Sequence, residues 1–305
     1  MQKMNAVRIH KRGGPEALVY EHAPKPCPAP DDALVRVHAA AITPAEFSWQ
    51  LAWNKPVIPS HEMAGVVAEV GATVSEVKVG DQVYGLVDFS RDGAAAEFVA
   101  VRAADLALKP KSLDYVQASA MPLSALTAWQ GLRIHARLQA GQRVLIHGGA
   151  GGVGSYAVQL AKWLGAEIFA TASAANAEFV KALGADLVID YTTTRFDDVV
   201  SDVDMVFDTV GGDALERSRK VLKRSGILLS VAEKPSQETA ADLGIRAVYF
   251  IVEPNRGHLT ELAGLADQGI IRPIVSAVFP LVQAREAYQA GLRGHMRGKN
   301  VLRVD

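Results

Sequence analysis

The sequence predicts an α/β protein in which a parallel sheet clothed by helices is joined to a compact, barrel-like β domain. Three observations predict it. A short apolar run, Val144-Leu145-Ile146, leads into His147-Gly148-Gly149-Ala150-Gly151-Gly152-Val153-Gly154 and then into a segment whose apolar residues recur at three- and four-residue steps. From about Tyr115 onward, apolar runs and helical patterns alternate, the signature of a parallel sheet covered on both faces. Before that point the chain is a succession of short apolar segments punctuated by glycine, as in small all-β domains.

In order, Val7–His10 alternates and is broken by Gly13-Gly14-Pro15. Further strands are predicted at Leu34–Ala41, Gly65–Gly71, Gly80–Gly85 and Ala95–Val101, with Lys109-Pro110-Lys111 closing the β region. A helix carrying Ala118, Met121, Leu123 and Leu126 follows, interrupted at Pro122. The parallel strands are expected at Val144–His147, Glu167–Thr171, Leu187–Ile189, Met205–Phe207 and Ile227–Val231, with a late helical pattern at Leu259–Asp267. The tail from Ile270 returns to short strands and one helix near Ala284–Ala290, and is expected to pack on the N-terminal domain. The expected domains are therefore residues 1–114, completed by 270–305, and residues 115–269.

The glycine stretch carries the chemistry. Gly149, Gly151 and Gly154 fit G-x-G-x-x-G in its strand–turn–helix context, and Gly152 and Val153 fall in the first helical turn. Glycines let the backbone approach a pyrophosphate closely, and the helix start presents free N–H groups and its positive dipole end to that anion. Composition sets the bounds. A net charge of -1 gives no basic field for nucleic acid. The single cysteine, Cys27, rules out an internal disulfide framework and a cysteine-rich zinc site, and fits a reducing cytoplasm. No apolar run approaches transmembrane length, and the N-terminus has no signal-peptide pattern.

Several further motifs occur in fixed order: Val79-Gly80-Asp81-Gln82-Val83-Tyr84-Gly85, Gly93-Ala94-Ala95-Ala96-Glu97-Phe98-Val99, Leu126-Thr127-Ala128-Trp129, Leu183-Gly184-Ala185-Asp186, Asp208-Thr209-Val210-Gly211-Gly212 and Arg297-Gly298-Lys299-Asn300-Val301-Leu302. With them the chain resembles a zinc-independent member of the medium-chain dehydrogenase/reductase superfamily, in its quinone-oxidoreductase-like branch. The resemblance implies a GroES-like β-barrel catalytic domain, a doubly wound Rossmann domain, and hydride transfer from a nicotinamide dinucleotide to quinones or conjugated alkenes. It also implies a homodimer paired through the Rossmann sheet edge, for which Ala247–Val252 is the candidate strand.

The residue nineteen positions after Gly154 is Ser173, where NAD enzymes of this fold carry an acid for the ribose hydroxyls. A carboxylate would repel a 2′-phosphate and a hydroxyl can donate to it, so the expected cofactor is NADPH. The resemblance adds Asn176 and Tyr191 around that phosphate, Phe250 and Val252 as the segment meeting the carboxamide, and Lys299 and Asn300 as tail residues closing over the cofactor. It places Thr127 beside the nicotinamide and Thr43 where relatives often carry Asn near the substrate carbonyl, the two candidate catalytic residues. Phe47, Trp49 and Trp53 are candidates for a substrate pocket in which a flat ring could stack. His61-Glu62 invites a zinc reading. The upstream position is Thr43, however, and Pro122-Leu123-Ser124-Ala125 supplies no Cys or His, so three ligands are not found and no metal is expected. Without a Lewis acid, alcohol oxidation is hard, whereas an electron-poor alkene or quinone needs only orientation and a few hydrogen bonds. The alternatives are a zinc-type alcohol dehydrogenase and a non-catalytic NADPH-binding protein.

Overall fold

The computed structural model describes residues 2–48, 56–294 and 296–304. The chain divides into two compact units: Met1–Leu126 together with Glu253–Asp305, and Thr127–Val252.

The first unit is built on strands β1 (Lys3–Ile9), β2 (Leu18–Pro24), β3 (Asp32–Ala41), β4 (Glu62–Val70), β5 (Gln82–Leu86), β6 (Phe98–Arg102) and β7 (Leu106–Leu108), followed by helix α1 (Tyr115–Ser119) and by α2 (Pro122–Trp129), whose residues from Thr127 on belong to the second unit. β1 and β2 form an antiparallel ribbon. β3 is the hub of the larger sheet, pairing antiparallel with β4 and, through Asp32–Arg36, with β6. Valines dominate the core between these strands: Val35, Val37, Val67, Val83, Val99 and Val101 are buried together with Leu106. Branched residues are stiff and pack well on a pleated surface. β4 approaches β3 so closely at Gly65 that a Cβ there would stand 2.1 Å from the Arg36 carbonyl oxygen. That contact explains a glycine in mid-strand.

The second unit contains β8 (Arg143–Ile146), α3 (Gly152–Trp163), β9 (Glu167–Ala172), α4 (Ala177–Leu183), β10 (Leu187–Asp190), β11 (Val203–Asp208), α5 (Gly212–Ser218), β12 (Leu222–Ser230), α6 (Gln237–Leu243) and β13 (Arg246–Tyr249). Its six strands lie in the order β10-β9-β8-β11-β12-β13, every pairing parallel. The chain winds outward from β8 through β9 and β10, then crosses to β11 on the other side. The switch point therefore lies between β8 and β11, where open parallel sheets bind ligands at their carboxyl edge. The candidate sheet edge is realised by β13, a sixth strand that stops at Tyr249, three residues short of the expected Val252.

After Val252 the chain returns to the first unit with α7 (Arg256–Asp267), β14 (Val275–Pro280), α8 (Ala284–Leu292) and β15 (Lys299–Arg303). β15 pairs with β3 through Val301–Arg303 against Ala39–Ala41. The tail thus packs on the N-terminal strands. The division differs from the expected boundaries at 114/115 and 269/270, for a physical reason at each side. α1, capped by reciprocal Asp114–Gln117 hydrogen bonds, is held to the β unit: Tyr115 stacks on His38 at 4.3 Å, and Ala120 packs with Ala39, Ala41 and Val301. α7 is held there too, since the Tyr84 hydroxyl donates to the Leu259 carbonyl (2.6 Å) and the Ser112 N–H donates to Asp267 (2.8 Å). Among the described residues no helix is long and apolar enough to cross a membrane.

Candidate functional site

The glycine turn follows β8 directly. Gly148 has φ +72°, a left-handed conformation that favours glycine. The Gly151 N–H then closes back on the Gly148 carbonyl (2.9 Å), and Gly151 occupies the N-cap of α3 with no side chain to bond the helix start. The N–H groups of Gly152, Val153 and Gly154 lie in the first turn, where an α-helix has no internal acceptors for them. Gly154 is required by packing, since a Cβ there would stand 2.1 Å from the Gly148 carbonyl oxygen. Gly149 sits between β9 and α4, where a Cβ would meet Ala170 at 3.2 Å and Val180 at 2.9 Å. The uncapped amides of a twelve-residue helix at the switch point fit a pyrophosphate.

The adjoining strands bring the other expected cofactor residues to the same carboxyl edge. Ser173 immediately follows β9, and the Asn176 side-chain amide donates to its hydroxyl (3.3 Å). Tyr191 follows β10, with its N–H on the Ala172 carbonyl (3.2 Å) and its side chain 54% exposed, free to lie along a ligand. No side-chain carboxylate replaces Ser173 at the end of β9. Phe250 and Val252 follow the edge strand in non-strand backbone, both buried, with the Phe250 ring 4.3 Å from that of His135. Thr127 lies buried in α2.

Behind the glycine turn lie residues that the motif did not signal. His147 is buried, 3.2 Å from the Thr171 hydroxyl and 2.9 Å from the Ser218 hydroxyl. Burial pushes its pKa down to about 4, a shift that the neighbouring Asp208 opposes and Arg217 reinforces. Asp208 itself accepts hydrogen bonds from the N–H groups of Val210 and Gly211 and from the Ser230 hydroxyl (2.7 Å), holding the turn after β11. The available signal was a threonine ending the strand beside the turn, and Asp208-Thr209 within a recognised motif.

In the first unit, Thr43 and Lys299 come together. Lys299, only 5% exposed, donates through Nζ to Thr43 Oγ1 (2.7 Å) and pairs with Glu62 Oε1 (2.5 Å). Glu62 also accepts from the Leu123 N–H (3.0 Å), and Thr43 Oγ1 lies 3.4 Å from Glu62 Oε1. Burial pushes the Glu62 carboxyl up, offset in part by the Lys299 ammonium. Lys299 is thus a buried ion-pair partner. Asn300 is also turned inward, its amide donating to the Ala287 carbonyl (3.0 Å). Both side chains expected from the resemblance to face the cofactor are thereby committed inside their own unit, because β15 is an interior strand between β14 and β3.

A second network adjoins this pair in sequence. His61 Nδ1 is 3.4 Å from Glu46 Oε1, and its Nε2 is 3.3 Å from the Arg91 carbonyl. Glu46 Oε2 accepts from the Ser60 N–H (2.9 Å) and the Tyr288 hydroxyl (2.7 Å). Burial opposes ionisation of Glu46, but the bonds from His61, Ser60 and Tyr288 outweigh it and hold the carboxyl below its ordinary range. Burial and the Glu46 charge together push the Tyr288 phenol well above its ordinary value. Phe47 is half-buried, meets Tyr288 edge-on at 5.0 Å and packs against a buried core cluster. Trp49 and Trp53, the other two pocket candidates, lie outside the described residues. Among the described residues, no group of three or more His, Cys, Asp or Glu side chains is placed to share a metal.

Comparison with known proteins gives the following. Residues 29–111 match the alcohol dehydrogenase GroES-like domain family, and residues 183–302 match the zinc-binding dehydrogenase family. The chain is 36% identical to 2-methylene-furan-3-one reductase of Solanum lycopersicum, over 89% of this chain and 71% of that protein. It is 35% identical to the chloroplastic NADPH-dependent alkenal/one oxidoreductase of Arabidopsis thaliana, over 89% and 72%. In structure it is similar to the quinone oxidoreductase of Coxiella burnetii, with a TM-score of 0.93 and 34% identity over the full length of both chains.

Proposed function

The chain belongs to the medium-chain dehydrogenase/reductase superfamily, in its quinone-oxidoreductase-like branch, and from that premise we propose that it transfers hydride from NADPH to quinones or to the carbon–carbon double bond of α,β-unsaturated carbonyl compounds, without a metal. The observation that carries the reading is the uncapped start of α3 at the switch point, with a serine and no acid after the neighbouring strand. The N–H groups of Gly152, Val153 and Gly154 would hold the pyrophosphate, and Ser173, Asn176 and Tyr191 the 2′-phosphoadenosine end. Thr127 and the backbone of Phe250 and Val252 would orient the nicotinamide. When bound, NADPH supplies the hydride.

Thr43 is the donor to the carbonyl oxygen on which negative charge then collects. Its hydroxyl accepts from the Lys299 ammonium at 2.7 Å, which polarises the O–H. Its own contact to Glu62 is long, at 3.4 Å, so turning to a substrate forfeits little. The metal-free reading rests on residue chemistry: a threonine at position 43, and His61 and Glu62 engaged with Glu46, Arg91, Leu123 and Lys299.

The test is product analysis with NADPH deuterated at the transferred position, across quinones and enones of graded size. Deuterium on the carbon β to the carbonyl supports the reading, and deuterium on a carbinol carbon overturns it. Thr43→Val should slow turnover by about 10- to 1000-fold, and an unchanged rate removes Thr43 from the mechanism. Elemental analysis giving one zinc per chain, with activity lost on chelation, would refute the metal-free reading. The position of β13 at the end of its sheet supports a homodimer. Light scattering at 32.5 kDa would instead show a monomer. The single, exposed cysteine supports a cytoplasmic location, and cell fractionation that recovers the protein in an organelle would contradict it.

A further inference from the structure

The polar groups behind the glycine turn form one continuous chain, and the hydrogen positions in it follow from its end. The Ser218 hydroxyl lies 2.6 Å from the Ala214 carbonyl, which can only accept, so Ser218 donates its single proton there. Ser218 Oγ must then accept at 2.9 Å from His147, which puts the imidazole proton on Nε2. The buried ring is neutral, so Nδ1 is an acceptor and takes the Thr171 hydroxyl proton at 3.2 Å. Thr171 Oγ1 in turn accepts from the Gly148 N–H at 3.1 Å. All bonds run one way: Gly148 N–H to Thr171, Thr171 to His147, His147 to Ser218, Ser218 to Ala214 on α5.

Thr171 engages the turn twice, since its carbonyl also accepts from the Gly149 N–H (2.9 Å). On the opposite side, the Thr209 hydroxyl donates to the His147 carbonyl (2.7 Å), and a Cβ on Gly148 would stand 2.8 Å from that hydroxyl oxygen. Gly148 is therefore held between two threonines from flanking strand ends.

We propose that His147 and Thr171 are positioning residues for cofactor binding: they draw the Gly148 and Gly149 amides toward β9, and so aim the remaining first-turn amides of Gly152–Gly154 at the pyrophosphate, with Ser218 anchoring this setting to α5. The inference rests on the NADPH reading above. It assigns a role to side chains that the glycine motif does not contain. It also divides the amides of the turn into those spent on the fold and those reserved for the anion.

The experiment is calorimetric titration of NADPH with steady-state kinetics on a quinone, for the wild type, Thr171→Val, Thr171→Ser, His147→Phe, the Thr171→Val/His147→Phe double variant and Ser218→Ala. Thr171→Val keeps the shape of the side chain and deletes the hydroxyl that joins Gly148 to His147. Its Kd and KM for NADPH should rise about 10-fold, with kcat at saturation within about twofold of wild type. Thr171→Ser restores the hydroxyl and should return the Kd to within about threefold of wild type. His147→Phe should match Thr171→Val, and the double variant should bind no more weakly than either single one, because both break the same chain. A purely structural role would lower the melting temperature and leave the Kd unchanged. Wild-type Kd in both Thr171→Val and His147→Phe overturns the proposal. If those two do not fold, Ser218→Ala at the far end decides, since an unchanged Kd there overturns the coupling to α5. A wild type that binds no NADPH overturns the functional reading itself, and is thereby told apart from a failure confined to the variants.

Discussion

Replacing Lys299 with methionine tests the buried pair in the first unit most directly. The side chain length is nearly kept, but Glu62, 1% exposed, loses the ammonium 2.5 Å from its Oε1. Removing one partner of a buried pair typically costs about 3–5 kcal/mol, because a charge is left without compensation. The cheapest response is for Glu62 to take up a proton. For a carboxyl with an ordinary value of 4.5, being neutral at pH 7 costs about 3 kcal/mol, and at pH 5 less than about 1 kcal/mol. The sign follows from linkage. In Lys299→Met the folded Glu62 holds its proton to higher pH than the unfolded chain does, so the variant regains stability relative to wild type as pH falls from 7 toward 5. Glu62→Gln leaves the ammonium unpaired and should cost about 3–5 kcal/mol at pH 7. The double variant places two neutral groups side by side and should lie within about 1 kcal/mol of wild type. Urea unfolding at pH 7 and pH 5, followed by near-UV circular dichroism, reads all four proteins. A Lys299→Met loss equal at both pH values, or a double variant as unstable as the worse single one, would show that Glu62 and Lys299 are not coupled in this way.

Other outcomes follow from features of the second unit. Gly154→Ala forces a methyl to within 2.1 Å of the Gly148 carbonyl, so the turn must move, and NADPH affinity should fall by at least about 100-fold in calorimetric titration. Ser173→Asp puts a carboxylate where the 2′-phosphate is proposed to sit, and should turn an NADPH preference into an NADH preference when kcat/KM is measured with both. Because burial pushes His147 down to about 4 from an ordinary 6.5, the unfolded imidazole takes up a proton before the folded one does. The stability this contributes is complete above pH 6.5 and is lost as pH falls toward 4. Between pH 6.5 and 4.5 the wild type should lose about 2–3 kcal/mol more than His147→Gln in urea unfolding, and parallel losses would count against it.

The glycine turn and its flanking strand and helix were legible because the pattern changes period there, from a continuous apolar run to a three-and-four repeat, with glycines at positions that packing requires. β13 was legible as an apolar edge. β2 was not: among the described residues it pairs only with β1, it alternates weakly in burial and it ends in Pro24, so little distinguishes it from a loop. β7 has only three residues. α1 and α7 look like parts of the alternating αβ region in sequence. Their allegiance is decided by His38, Tyr84 and Ala39, which belong to strands far away in the chain. The site divides the same way. Ser173 is read from its distance to the motif and Asn176 only from the resemblance, whereas nothing around Lys299 reveals that a buried carboxylate awaits it on β4. The contact of Phe47 with Tyr288, from far along the chain, was not legible either.

The pairing of β15 with β3 has a consequence for the order in which the protein is made. Residues Ala39–Ala41 emerge early from a ribosome, and their partners Val301–Arg303 emerge only after the whole second unit. The intervening unit has all six strands of its sheet in one uninterrupted stretch, so it can reach its final form while the first unit still carries an open strand edge. Such edges recruit other chains. The first unit therefore depends on the speed with which the tail arrives, and the second does not. Limited proteolysis of ribosome-bound chains halted after Pro254, extended by a linker that clears the exit tunnel, should show Thr127–Val252 protected and Ala39–Ala41 still cut. Equal protection of both would show that the first unit closes without its last strand.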